Sequence, residues 1–81
     1  MLLVDDESDI VYIVKVGLER NGFVVDYYTD PALALQSFKN GLYQLLVIDI
    51  KMPHMDGIEL FNKMRKEDDK VMVCFFQRRT T

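Results

Sequence analysis

Apolar positions along the chain come in short blocks separated by polar, turn-rich punctuation, and the blocks are of two kinds. Leu2-Leu3-Val4 is uniformly apolar, as a parallel strand covered on both faces is. Ser8 to Arg20 contains several β-branched residues, but its length, the recurrence of Ile10, Val14 and Leu18, and the Asn21-Gly22 stop predict a helix. Glu7 and Asp9 flank its first position, where the helix dipole favours negative charge. Phe23 to Tyr28, rich in β-branched and aromatic residues, predicts a second strand, and Asp26 within it marks an edge with a wet side. Asp30-Pro31 predicts the next helix start, a cap followed by a proline suited to the first helical position. That helix is expected to run through Ala34, Leu35 and Phe38 and to stop at Asn40-Gly41.

Gln44 to Asp49 predicts the third and most buried strand. Asp56-Gly57-Ile58-Glu59 has the spacing of a capping box, and Ile58, Phe61 and Met64 then fall on one helical face. Glu59 and Lys63 form a favourable i, i+4 pair. Lys66 to Lys70 predicts a charged loop, Val71 to Phe76 a fourth strand, and Gln77-Arg78-Arg79-Thr80-Thr81 a polar tail. The order β-α-β-α-β-α-β with short connections predicts an α/β fold: a parallel sheet with right-handed crossover helices on its faces, three layers in all.

Composition narrows the functional classes. A chain of 81 residues is one small domain, and with half of its residues hydrophobic and its charges of mixed sign it reads as a globular protein. A net charge of -3 argues against a nucleic-acid surface, which normally shows a basic stripe. The single Cys74 excludes an internal disulfide and a cysteine-based zinc site; lying in an apolar run, it is expected to be a buried, inert thiol. No apolar stretch approaches the ~18 residues of a membrane span, and the N-terminus lacks the features of a signal peptide. The expectation is a cytoplasmic protein with no membrane contact.

The candidate chemistry sits at the ends of two apolar runs. Leu2-Leu3-Val4 is followed by Asp5-Asp6, and Leu45-Leu46-Val47-Ile48 ends on Asp49. Ionised carboxylates are costly to desolvate unless paired or metal-bound. In an open α/β sheet, sites form beyond the carboxyl ends of the strands, so three carboxylates can meet in one pocket there. Such a set invites a hard cation such as Mg²⁺ and permits covalent chemistry on an aspartate.

With Lys51-Met52-Pro53 and Met55-Asp56-Gly57 added, the spacing resembles the receiver domain of two-component response regulators, from Leu2 to about Phe76. The resemblance implies a flavodoxin-like receiver fold. It also implies that Asp49 accepts a phosphoryl group from a phosphohistidine on a sensor histidine kinase or phosphotransfer protein. Asp6 and Asp49 would then bind Mg²⁺ through their carboxylates, Asp5 largely through water, and Lys51 through its backbone carbonyl. Such a module is not a turnover enzyme; at most it catalyses its own phosphorylation and dephosphorylation.

Two departures from the pattern carry expectations. Receivers place a Ser or Thr just past the fourth strand, where this chain has Gln77, with Thr80 and Thr81 too late. They also carry a Lys after a fifth strand, and here that strand and the last two helices are lacking. Residues 1–76 therefore read as a shortened receiver-like domain and 77–81 as an atypical tail, such as a truncation, a frameshift or a fragment boundary would leave. Impaired switching and self-association through an exposed fourth strand are expected. Two rival readings stay open: a binding module or remnant that keeps the fold without phosphorylation, and a Mg²⁺-dependent phosphohydrolase with an Asp nucleophile. The adjacency of Asp5 and Asp6 disfavours the second, whose acidic pair is normally spaced by one residue. His54, the Lys51 side chain, Arg78 and Arg79 are expected to be solvated. Met52, Met55 and Met64 are expected to be core or loop filler, and Tyr27 and Tyr28 ordinary strand aromatics.

Overall fold

Alternation of apolar strands and amphipathic helices produces a doubly covered parallel sheet. A computed structural model describes residues 1–77, apart from the side chains of Ser8 and Ile10. The elements are β1 (Leu2–Val4), α1 (Ser8–Arg20), β2 (Asp26–Tyr28), α2 (Pro31–Ser37), β3 (Leu45–Asp49), α3 (Gly57–Glu67) and β4 (Met72–Phe76). All strand pairs are parallel, in the order β2-β1-β3-β4. The chain leaves β1 toward one side to make β2 and returns to the other side to make β3. This reversal puts a topological switch point between β1 and β3, where crevices open at the carboxyl ends of strands.

The two sheet faces are unequal. On one, Leu2, Val4, Leu46 and Ile48 meet Ala34 and Phe38 near α2 and Leu60 and Met64 from α3, with Val73 and Phe75 alongside. On the other, Leu3 and Val25 meet Val11 of α1, with Leu18, Val47 and Phe76 at the margin. Helix α1 packs on β1 and β2, so the β3–β4 half of this face is open among the described residues.

That inequality corrects the expectation for Cys74. On a strand, alternate side chains share a face. Cys74 points to the open face with Met72 and Phe76, and it is exposed. The apolar run around it predicts burial only if both faces are covered.

Helix faces also differ from the expected ones. In α1, Val11 is fully buried while Val14 is 40% exposed; Ile10 lies outside the described side chains. In α3 the inward stripe is Gly57, Leu60 and Met64, with Phe61 half-buried beside it. Ile58 is displaced to the flank and half exposed, because at 100° per residue it sits well off the axis shared by Leu60 and Met64. Helix α3 runs on to Glu67, shortening the expected charged loop, and α2 ends at Ser37 with Phe38 as its buried C-cap. Phe23 and Val24 fall outside β2 and are exposed; β2 is an edge strand, as Asp26 indicated.

Asp30 accepts the Ala32 N–H at 2.9 Å and Asp56 accepts the Glu59 N–H at 2.8 Å, so both expected caps form. At the opposite end of the sheet from the candidate carboxylates, buried Asp68 ties two loops together. It accepts N–H bonds from Gly41 at 2.9 Å and Lys70 at 3.0 Å, while Asn40 donates to the Glu67 carbonyl at 2.8 Å. The Gly41 bond, followed by that from Lys70, holds the Asp68 carboxyl below its ordinary range. Nothing in the charged composition of that segment singles Asp68 out from Glu67 or Asp69.

Candidate functional site: a triad of carboxylates at the switch point

Register brings the acidic groups together. Val4 of β1 pairs with Ile48 of β3, so the next residues, Asp5 and Asp49, leave neighbouring strands at the same level. Both are essentially fully buried, and Asp6 is half-buried beside them. Carboxylate oxygens of Asp5, Asp6 and Asp49 all lie within 4.8 Å of one another.

The two strand-end aspartates are held in the same way. Asp5 Oδ1 accepts the N–H of Glu7 at 3.1 Å, and Asp49 Oδ1 accepts the N–H of Lys51 at 3.1 Å. Each is a turn in which an aspartate bonds the backbone two residues on, fixing the carboxylate relative to the strand that delivers it. Lys51 thus joins the site through its backbone, and its side chain is exposed.

The loop after β3 is built to hold α3 against this site. Ile50 N–H donates to the Phe76 carbonyl at 2.9 Å, and Gly57 N–H returns to the Ile50 carbonyl at 2.8 Å. Met52 and Met55 anchor the loop in the larger core, and exposed Pro53 and His54 form its tip. The tip is a γ-turn: Met55 N–H bonds the Pro53 carbonyl at 2.8 Å across His54, whose φ is +70°. Gly57 is a close-approach glycine. A Cβ there would overlap the Asp49 carbonyl oxygen and come within 2.8 Å of Ile48 Cγ2. The Asp-Gly pair was legible as a helix start, but the contact with Asp49 was not, because it depends on where α3 crosses β3.

The donor set fits a hard divalent cation. Three carboxylates converge, and no nitrogen or sulfur ligand joins them among the described residues, a composition that suits Mg²⁺ or Ca²⁺ rather than a softer metal. Gln77, exposed, directly follows β4, while Arg78, Arg79, Thr80 and Thr81 lie outside the described residues.

Comparison with known proteins agrees with this geometry. The profile of the response regulator receiver domain matches residues 1–81. The transcriptional regulatory protein PrrA of Mycobacterium tuberculosis is 36% identical over 81 residues; the match takes in all of this chain and 35% of PrrA. The chain thus spans about a third of that relative's length. A solved structure of histidine kinase ThkA in complex with response regulator protein TrrA superposes with a TM-score of 0.86 at 30% identity, covering 99% of this chain and 69% of the other. TrrA from Thermotoga maritima in complex with Mg²⁺-BeF gives a TM-score of 0.84 at 29% identity, covering 98% of this chain and 69% of that one. No helix among the described residues is long and apolar enough to cross a membrane. With a flavodoxin-like sheet, an acidic triad at its switch point and a profile match along its whole length, this chain belongs to the response regulator receiver domain family of two-component signalling systems.

Proposed function

We propose that this chain is the phospho-accepting module of a phosphorelay, taking a phosphoryl group from the phosphohistidine of a sensor histidine kinase or phosphotransfer protein onto Asp49. The observation that carries the reading is the gathering of Asp5, Asp6 and Asp49 within 4.8 Å. Its cofactor on this reading is Mg²⁺, which would be held by the carboxylates of Asp6 and Asp49, by Asp5 largely through water, and by the backbone carbonyl of Lys51. Bound there, the ion would neutralise the converging charge and polarise phosphoryl oxygens. The Lys51 N–H orients the Asp49 carboxylate. An Asp49 oxygen attacks phosphorus, an O–P bond forms, the N–P bond breaks, and its electron pair stays on the regenerated imidazole. Hydrolysis of the acyl phosphate returns Asp49, so the module cycles without turning over a separate substrate.

The TrrA structure with Mg²⁺-BeF and the ThkA–TrrA complex support the cofactor and the kinase partner by analogy. We take residues 1–76 as the receiver unit and 77–81 as a tail, and place the protein in the cytoplasm. The carboxamide of Gln77 stands where receivers carry a hydroxyl, and on that ground we place the coupling of phosphorylation to output below the family's usual level. PrrA is a transcriptional regulatory protein, yet this chain matches only a third of it. The absence of nucleic-acid contact is proposed for these 81 residues alone, on their net charge of -3.

The test is intact-mass analysis after incubation with Mg²⁺ and phosphoramidate. One hydroxylamine-labile phosphoryl adduct is expected on the wild type and none on a folded Asp49→Asn variant. An undiminished adduct in Asp49→Asn would move the acceptor elsewhere. A folded, Mg²⁺-binding wild type that takes no adduct from phosphoramidate or a phosphorylated kinase would leave a binding module.

A further inference from the structure

Asparagine is a labile residue, most of all before glycine, which puts no side chain in the way of ring closure. The chain carries two such pairs, Asn21-Gly22 and Asn40-Gly41, and each follows a basic residue, Arg20 or Lys39. All four residues of the two pairs are exposed, so access of water does not separate them. With local chemistry this similar, any difference in their fate is a property of the fold.

The reaction begins when the glycine N–H gives its proton to a solvent base and the nitrogen attacks Cγ of the asparagine. A C–N bond closes a cyclic imide, the Cγ–NH₂ bond breaks, and the amide nitrogen leaves with a proton as ammonia. Water then opens the imide at either carbonyl and leaves aspartate or isoaspartate. Closure turns the backbone between the two residues, so the bonds that hold the glycine N–H and the asparagine amide must open first.

At the end of α1 those bonds are local. Asn21 Nδ2 donates to the Gly17 carbonyl at 2.8 Å, and Gly22 N–H donates to the neutral Glu19 carbonyl at 3.0 Å. Both acceptors lie in the last turn of the helix that Asn21 caps, and a helix end frays without disturbing the rest of a fold. At Asn40-Gly41 the partners are 27 residues away. Asn40 Nδ2 donates to the Glu67 carbonyl at 2.8 Å, and Gly41 N–H donates to the Asp68 carboxylate at 2.9 Å. Asp68 is buried and held in turn by the Lys70 N–H. Freeing this pair means parting two loops. Deprotonating the Gly41 nitrogen beside an anion is also opposed by repulsion, which the Gly22 nitrogen does not meet at its carbonyl partner.

We propose that Asn21-Gly22 is a site of spontaneous conversion to aspartate and isoaspartate through the cyclic imide, and that the Asp68 clasp shields Asn40-Gly41 from the same reaction. Conversion at position 21 removes the amide donor to Gly17 and sets a carboxylate at the negative end of the α1 dipole. It therefore loosens the turn that holds Leu18 against the smaller core. The inference does not depend on phosphorylation.

The test incubates the 81-residue chain at mildly alkaline pH, folded and in guanidinium chloride, and follows each pair by peptide mapping and enzymatic methylation of isoaspartate. In the folded chain we expect Asn21 to convert at least about tenfold faster than Asn40, whose tertiary hydrogen bonds must first be broken. In guanidinium chloride the two rates should converge. Asp68→Asn, with a native far-UV circular dichroism spectrum, is expected to bring Asn40 toward the rate of Asn21 and to leave Asn21 unchanged. Equal rates in the folded wild type, a folded Asn21 that stays intact while the denatured chain converts, or a gap that persists in denaturant would each overturn the proposal. The wild-type comparison decides it even if Asp68→Asn fails to fold; a folded Asp68→Asn in which Asn40 stays protected would overturn the shielding.

Discussion

Gly57 lies so close to Asp49 that its missing side chain is part of the site: a Cβ on Gly57 would overlap the Asp49 carbonyl oxygen and come within 2.9 Å of its carbonyl carbon. Both contacts are to backbone, which cannot rotate away as a side chain could. The first turn of α3 is thereby seated directly on the strand end that carries the proposed acceptor, and the Gly57 N–H closes the intervening loop on Ile50 at 2.8 Å.

Gly57→Ala is expected to lower stability by about 3 kcal/mol, at the upper end of overpacking penalties. It should weaken Mg²⁺ binding as well, because relief of the overlap displaces α3 or the Asp49 peptide. Denaturant melts with and without Mg²⁺ check both effects. A variant that melts like wild type would show that α3 can withdraw freely.

The carboxylate triad makes a prediction about charge. With oxygens of three acidic groups within 4.8 Å, mutual repulsion opposes folding when no cation is present. Asp6→Asn should therefore raise stability in chelator by about 1 kcal/mol while abolishing most of the stabilisation that Mg²⁺ gives the wild type. Ligand-linked stabilisation grows with cation concentration in the wild type and stays flat in the variant. Thermal melts across a Mg²⁺ series measure both.

Asp68 gives an acid-side prediction. Its folded carboxyl is held below the ordinary aspartate range by the hydrogen bonds from the Gly41 and Lys70 amides. A depressed folded pKa contributes stability that is present above the unfolded pKa and is lost as pH falls through the folded one. Wild type should therefore lose more stability than Asp68→Asn as pH drops below about 4. Parallel melts of the two proteins over that range test it, and equal slopes would remove Asp68 from the acid transition.

On the alkaline side the group is Tyr43. Burial, then its 2.6 Å hydrogen bond to Asp26 and the charge of that carboxylate, push the phenol above its ordinary range. Its contribution is complete below the unfolded pKa, about 10, and declines as pH rises beyond it toward the folded value. Tyr43→Phe should cost about 1 kcal/mol at neutral pH and flatten the loss of stability above pH ~10. Chemical denaturation at neutral and alkaline pH provides the comparison.

His54 occupies the positive-φ position of the γ-turn at +70°, where a side chain is strained and glycine is not. His54→Gly should stabilise the fold by about 0.5 kcal/mol, the relief of strain being offset in part by the freer unfolded chain. A drop in melting temperature would show that the imidazole makes a contact that matters.

The order of elements, both aspartate caps and the three carboxylates were legible along the chain, because these depend on local signals. Apolar runs bounded by turn residues mark strands, and a side chain that caps a helix reaches only two or three residues along its own chain. Asp5, Asp6 and Asp49 were legible together because parallel strands all point their carboxyl ends the same way. What needed the tertiary structure were the features set by which elements become neighbours. Periodicity placed Ile58 inward with Phe61 and Met64; Met64 is buried as expected, but the approach of α3 to β3 buries Leu60 and leaves Ile58 half exposed. The apolar run predicted a buried Cys74, but α1 covers β1 and β2, and among the described residues the β4 half of that face is open. Asp68 reads as one more charge in an acidic and basic stretch, and only the meeting of two loops far apart in the chain makes it a clasp. The strictness of Gly57 has the same origin: a distance between two backbones is a property of packing, and no single segment carries it.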